Sequence, residues 1–218
     1  IGDDLVAKSD AMRALAGDDP AAMDAAALRE LLGHVFCARR RVEQIFAVVH
    51  PEALAAGIAD LLNGAGGVAR RFDAFAGLLA GPGTGGVAAD LPGELLHFLD
   101  PRRYWLWSRW MWDPDAETGS LRLVTMDEVD LDGTGPGETY LLVGQALAFV
   151  EETGKAAGFT TMGAGQFGTD VFLAAVYGIY MKTVLRMRLT QEFTHVVPPL
   201  PALVRRLLGV HHLQNGEG

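Results

Sequence analysis

The chain has 218 residues, half of them hydrophobic and 21% charged, with 27 Asp and Glu against 18 Lys and Arg for a net charge of −9. That composition excludes a disordered chain, and the length suffices for one large domain or two small ones with a proper core. The acidic balance, with a pI near 5.1, disfavours a general nucleic-acid binder, which needs a basic face. The single cysteine, Cys37, excludes an internal disulfide and fits a reducing, cytoplasmic setting. The opening IGDDLVAKSD lacks the apolar core of a secretory signal, and the longest apolar run, Val171 to Met181, is too short to span a membrane.

Apolar spacing predicts helices almost throughout. Residues 3–16 form a first helix, with Leu5, Met12 and Leu15 as contacts, and Gly17-Asp18-Asp19-Pro20 is a turn that caps the next one. Residues 21–49 read as one long helix with a bend near Gly33. Leu28, Leu31, Leu32, Val35 and Phe36 make its stripe, and Arg39-Arg40-Arg41 is a solvated face. Pro51 starts a helix that reaches Leu62, and Val68 to Leu79 is another, with Phe72 and Phe75 apolar.

The richest stretch, LPGELLHFLDPRRYWLWSRWMWDP, runs from Leu91 to Pro114 and holds all four tryptophans. Asp90 is an expected N-cap, Pro92 fits a first helical turn, and Leu95, Leu96 and Leu99 recur at helical spacing until Asp100-Pro101 stops the helix. Tyr104 to Trp112 is then a short helix or an irregular aromatic corner. Trp105, Trp107, Trp110 and Trp112 cannot all share one helical face. Two readings stay open: the indoles fill the core, or some of them, with Arg102, Arg103 and Arg109, form a contact surface of the kind that anchors interfaces. A mean hydropathy of +0.18, high for such a chain, points to apolar surface covered by a partner.

Residues 115–137 are the least helical, with alternation around Leu121 and Leu123 predicting a short extended segment at 120–127. A helix over Thr139–Thr153 follows, with Tyr140, Val143, Leu147 and Val150 on one face. The longest helix runs from Asp170 to about Phe193, and its apolar first half, VFLAAVYGIYM, predicts burial inside a bundle. A last helix ends near Leu208, with a frayed tail after it.

Several chemistries fail on context. No glycine loop is followed by Lys-Ser or Lys-Thr or lies between a strand and a helix, which removes nucleotide loops. Glu128, Asp130 and Asp132 before Gly133 start like a calcium loop but lack its terminal bidentate Glu. His34 and Cys37 are too few for a metal site, and no nucleophile elbow is present. No cofactor or metal is expected.

From Phe75 to Met111 the chain resembles the core of the helix-hairpin-helix DNA glycosylase superfamily. Gly81-Pro82-Gly83 resembles the hairpin, Leu95 to Leu99 the apolar helix, and Pro101, Tyr104 and Trp107 the proline and aromatic positions. Ser108 stands where that family has its catalytic Asp, and the hairpin carries extra glycines. The resemblance covers about a sixth of the chain. It implies an all-helical scaffold that has lost glycosylase chemistry, with nucleic acid met through Gly81, Gly83, Arg102 and Arg103. The expectation is therefore a single all-α domain over 1–218 with about nine helices. It would be a non-catalytic accessory subunit docking on a protein partner or on itself through the Trp/Arg stretch, with the nucleic-acid-binding module as the alternative.

Overall fold

The computed structural model describes residues 1–159, 165–188 and 198–211, with side chains on the long C-terminal helix up to Val184. The end of that helix near Phe193, His195 and the tail from His212 lie outside the described residues. The fold is all-α. Nine helices are found among the described residues: α1 Gly2–Ala16, α2 Ala25–His34, α3 Val42–Val48, α4 Pro51–Asn63, α5 Val68–Leu78, α6 Gly85–Leu99, α7 Pro136–Ala156, α8 Gly168–Arg188 and α9 Leu200–Leu207.

Local chemistry sets most of the ends. Asp24 accepts the N–H groups of Ala26 and Ala27 at 3.0 and 2.8 Å and so caps α2. Pro51 and Pro136 open α4 and α7, where a missing N–H costs nothing. The α6 helix is the axis of the fold: every residue from Asp90 to Leu99 is buried, and α1, α4 and α5 pack around it. One hydrophobic cluster runs from Leu5 on α1 to Val210 after α9.

Four expectations are corrected. First, α6 begins at Gly85, so Asp90 is not a cap and Pro92 lies inside the helix. Burial of Val87 and Leu91 holds the extra turns, and that packing overrides the local preference of proline for a first turn. Secondly, residues 21–49 are not one bent helix. Gly33 is inside α2, and the break falls at 35–41, because Glu94 on α6 takes the N–H groups of Phe36 and Cys37 at 3.1 and 3.3 Å, groups that would otherwise continue the helix. Thirdly, the extended segment at 120–127 is a 3-10 turn, Leu121–Leu123, followed by a hydrogen bond from Thr125 Oγ1 to the Leu121 carbonyl at 2.8 Å. Among the described residues the one β-type pairing is an isolated bridge between Asp113 and Thr118. Fourthly, the apolar first half of α8 is not enclosed: Leu173, Ala174 and Gly178 are buried, while Ile179 and Tyr180 are 55% and 42% exposed.

The tryptophan stretch is the irregular aromatic corner rather than a helix, and it wraps α6 closely. A Cβ added at Gly93 would sit 2.3 Å from the Trp107 carbonyl oxygen, backbone against backbone, so only glycine admits this approach. Gly93→Ala should therefore cost about 1–3 kcal/mol, read as a lower urea midpoint. An unchanged midpoint would disprove the close packing of α6 on the Trp107 segment.

Candidate functional site

The α6 helix carries three ionisable residues at helical spacing within its buried run: Asp90, Glu94 and His97, each under 9% exposed. A desolvated charge needs a partner, and each has one from a different part of the chain. Asp90 accepts the Arg109 backbone N–H at 2.9 Å and its Nε–H at 3.3 Å. Glu94 accepts the 36–37 amides and pairs with Lys8 of α1 at 3.5 Å. His97 lies between the Tyr104 carbonyl, 2.9 Å from Nδ1, and an Asp170 carboxylate oxygen, 3.0 Å from Nε2.

These contacts fix protonation. A carbonyl only accepts, so Nδ1 carries a hydrogen, and the carboxylate takes a second from Nε2, so the imidazolium form fits the site. Burial works against that charge, but the Asp170 carboxylate and the two hydrogen bonds outweigh it and hold His97 above its ordinary pKa. Burial pushes Asp90 up to about 6, against the pull of Arg109. Burial and the neighbouring Glu94 and Asp90 raise the Cys37 thiol well above its usual value, so it is not a thiolate nucleophile. With both its nitrogens engaged, His97 is not a free base either.

A cavity opens at each end of this ladder, whose ends are about 10 Å apart along the helix. At the Asp90 end a cavity of about 240 Å³ is lined by Arg39, Arg40, Arg41, Arg109, Gly86 and Cys37, among others. The Arg40 and Arg41 side chains have no ion-pair partner among the described residues. At the His97 end a cavity of about 220 Å³ is lined by His97, Asp170, Trp105, Arg102, Arg103 and Glu151, among others. Among the described residues no group of three or more His, Cys, Asp or Glu side chains is placed to hold a metal ion.

The residues singled out in the sequence are thus divided. Trp107 and Trp112 are core, 2% and 0% exposed, and have no surface to offer a partner. Trp107 packs on Phe72 with ring centres 5.5 Å apart. Trp105 is half-buried, stacked on Tyr140 at 4.7 Å, and Trp110 is half-buried beside Tyr177 at 6.2 Å. Arg102 and Arg103 border the His97 cavity, while Arg109 joins the Asp90 cavity. Gly81 packs against Val48, and Gly83 has φ +82° in the turn between α5 and α6, at the far end of α6 from Arg102 and Arg103. The suggested set Gly81, Gly83, Arg102 and Arg103 is therefore separated by the length of a fifteen-residue helix, about 20 Å. Arg39–Arg41, which the sequence alone reads as a solvated face, line the Asp90 cavity together with Arg109. The buried ladder was missed, although its signal was present: three ionisable residues at i, i+4 and i+7 within an otherwise apolar run.

The chain matches no protein-family model, no curated protein and no solved structure, so its function rests on these residues.

The His97–Asp170 pair has a pH signature. A raised folded pKa contributes stability that is complete below the unfolded value, roughly 6.5, and is lost as pH rises through the folded value. Asp90 acts in the same direction between 3.8 and about 6. Urea unfolding from about pH 6 to 9 should show the advantage of the wild type over Asp170→Asn shrinking as pH rises. A difference independent of pH would show that His97 is not the charged partner.

Proposed function

We propose that the protein binds nucleic acid at the hairpin end of α6, without glycosylase chemistry. One observation carries this reading. Gly86, just past the α5–α6 turn, and Arg109, next to Ser108, meet in one cavity with Arg39, Arg40 and Arg41, so that a chain of net charge −9 gathers four arginines around 240 Å³, with Asp90, the partner of Arg109, as the one carboxylate in the lining. A Cβ on Gly86 would lie 2.3 Å from Arg109 Nη2, which measures how closely the first turn of α6 and the arginine approach. Such like charges oppose one another, and Arg39 shows it: burial, then the neighbouring Arg40, lowers its pKa. A phosphate backbone relieves that repulsion, and guanidinium groups suit phosphate geometry. Ser108 is buried with its hydroxyl unpartnered among the described residues, and a hydroxyl supplies none of the charge of a catalytic Asp. The acidity of the whole chain favours a short or single strand over a long duplex.

Fluorescence anisotropy with labelled single-stranded and duplex oligonucleotides tests this. Single-strand binding should fall steeply with salt, and the Arg40→Gln/Arg41→Gln double variant should weaken it and lower the slope of log K against log salt by roughly 1–2. No binding at about 50 mM salt, or a slope untouched by the double variant, overturns the reading.

A second reading, docking on a protein partner or on another copy, is favoured by the uncovered face of α8. Ile179 and Tyr180 are exposed, Tyr177 lies 6.0 Å from Tyr180 and touches Trp110, and Phe159 beside α8 is 53% exposed. Here the tryptophan contribution narrows to Trp110. Trp110→Ala and Tyr180→Ala should leave the monomer nearly as stable while weakening association by about 2 kcal/mol, in contrast to Trp107→Ala and Trp112→Ala, which should cost about 3–5 kcal/mol of folding stability. Sedimentation showing a monomer at all concentrations and no effect of Trp110→Ala or Tyr180→Ala on any association would remove this reading.

A further inference from the structure

We propose that the cavity at the His97 end of α6 is a second binding site, for a small ligand with a flat aromatic body and one carboxylate. It is independent of the nucleic-acid reading, since it shares no lining residue with the arginine cavity.

The wall is a preformed aromatic surface. The Trp105 indole N–H donates to the Tyr140 carbonyl at 2.8 Å, its ring lies 18° from parallel on Tyr140, and a Cβ on Gly144 would come within 2.2 Å of it, so the ring is seated against the α7 backbone. Leu147 and Ala148 extend that apolar side. A ring held in place this way meets a flat ligand without an ordering cost. The floor is the His97–Asp170 pair, 3% and 5% exposed, which joins α6 to α8 and so fixes the depth of the cavity.

The charges around the cavity are committed, with one exception. Asp170 is engaged with His97, and Glu151 with Lys155 and Thr169. Arg103 pairs with Asp100 and lies over the Tyr104 ring, 5.1 Å from its centre. Arg102 lines the same cavity, is exposed, and makes no ion pair or hydrogen bond among the described residues. A lone guanidinium beside a fixed indole selects an anion attached to an apolar body, because the carboxylate takes the fork of N–H donors while the ring covers Trp105. At 220 Å³ the site suits a ligand below drug size.

Isothermal titration with indole-3-acetate, its neutral amide and plain acetate as probes tests the assignment. The acid should bind, the amide about tenfold more weakly, and acetate weakest of all, since removing the charge or the ring each removes one of the two recognition elements. Arg102→Gln, at an exposed position that leaves the fold intact, should weaken the acid by a similar factor and leave the amide unchanged. Leu147→Trp, which fills the cavity, should abolish both. Both variants should retain oligonucleotide binding, so failure here and failure of the nucleic-acid reading are told apart. Absence of binding by all three probes at millimolar concentration, equal affinity for acid and amide, or acid binding unaffected by Arg102→Gln would each overturn the proposal.

Discussion

The fold depends on a single constraint: a helix buried on every side carries three groups that cannot be buried alone. From Asp90 to Leu99 every residue of α6 is buried, and Asp90, Glu94 and His97 must each be answered within hydrogen-bonding distance. Removing one member of such a pair strands a charge at about 3–5 kcal/mol, although an apolar replacement of the whole pair can be neutral. The ladder therefore adds little to stability by itself. It instead penalises any arrangement that fails to bring Arg109, Lys8 and Asp170 to their places.

Each partner draws in a different segment. Lys8 reaches Glu94, donates to the Leu208 carbonyl at 3.2 Å at the end of α9, and lies 3.7 Å from the Phe98 ring centre, so the first and last helices are tied to the same point on α6. Its pKa is lowered by burial and partly restored by Glu94. An ion pair between Arg205 and Asp4 joins the same two helices nearer the surface. Glu94 also ends α2, and the turn it creates is the one that carries Arg39, Arg40 and Arg41. The arginine cavity is thus a by-product of satisfying a buried carboxylate, and the same helix supplies Gly86, Val87 and Asp90 to its lining.

The tryptophan corner answers a different need. Without regular structure, its backbone groups are satisfied piecemeal: Trp107 Nε1 donates to the Trp112 carbonyl at 3.0 Å, and Ser120 and Leu121 amides donate to Trp110 and Met111 carbonyls at 3.0 Å. Its indoles divide by direction. Trp107, on Phe72 of α5, and Trp112, under Arg122, become core, and the other two meet α7 and α8, where Trp105 forms a cavity wall and Trp110 extends an aromatic strip. High hydropathy follows from both the core and the open face of α8.

Helical class and most helix positions were legible in the sequence, because the spacing of Leu28, Leu31 and Leu32, or of Tyr140, Val143, Leu147 and Val150, reports a buried face whatever covers it. Prolines and glycines marked the starts and stops where local backbone preference goes unopposed, as at Pro51. Tertiary structure decided everything that depended on a distant partner. Pro92 is inside a helix because Val87 and Leu91 are packed, and α2 stops because Glu94, some sixty residues away, takes its N–H groups. Which indole is core depends on where α6 lies, and the α8 face stays open because hydrophobic pattern states what a helix can bury but not whether a neighbour arrives to bury it. The two cavities are of this second kind: their residues come from three separate stretches each, and no local spacing encodes a distance between segments that only the buried charges of α6 bring together.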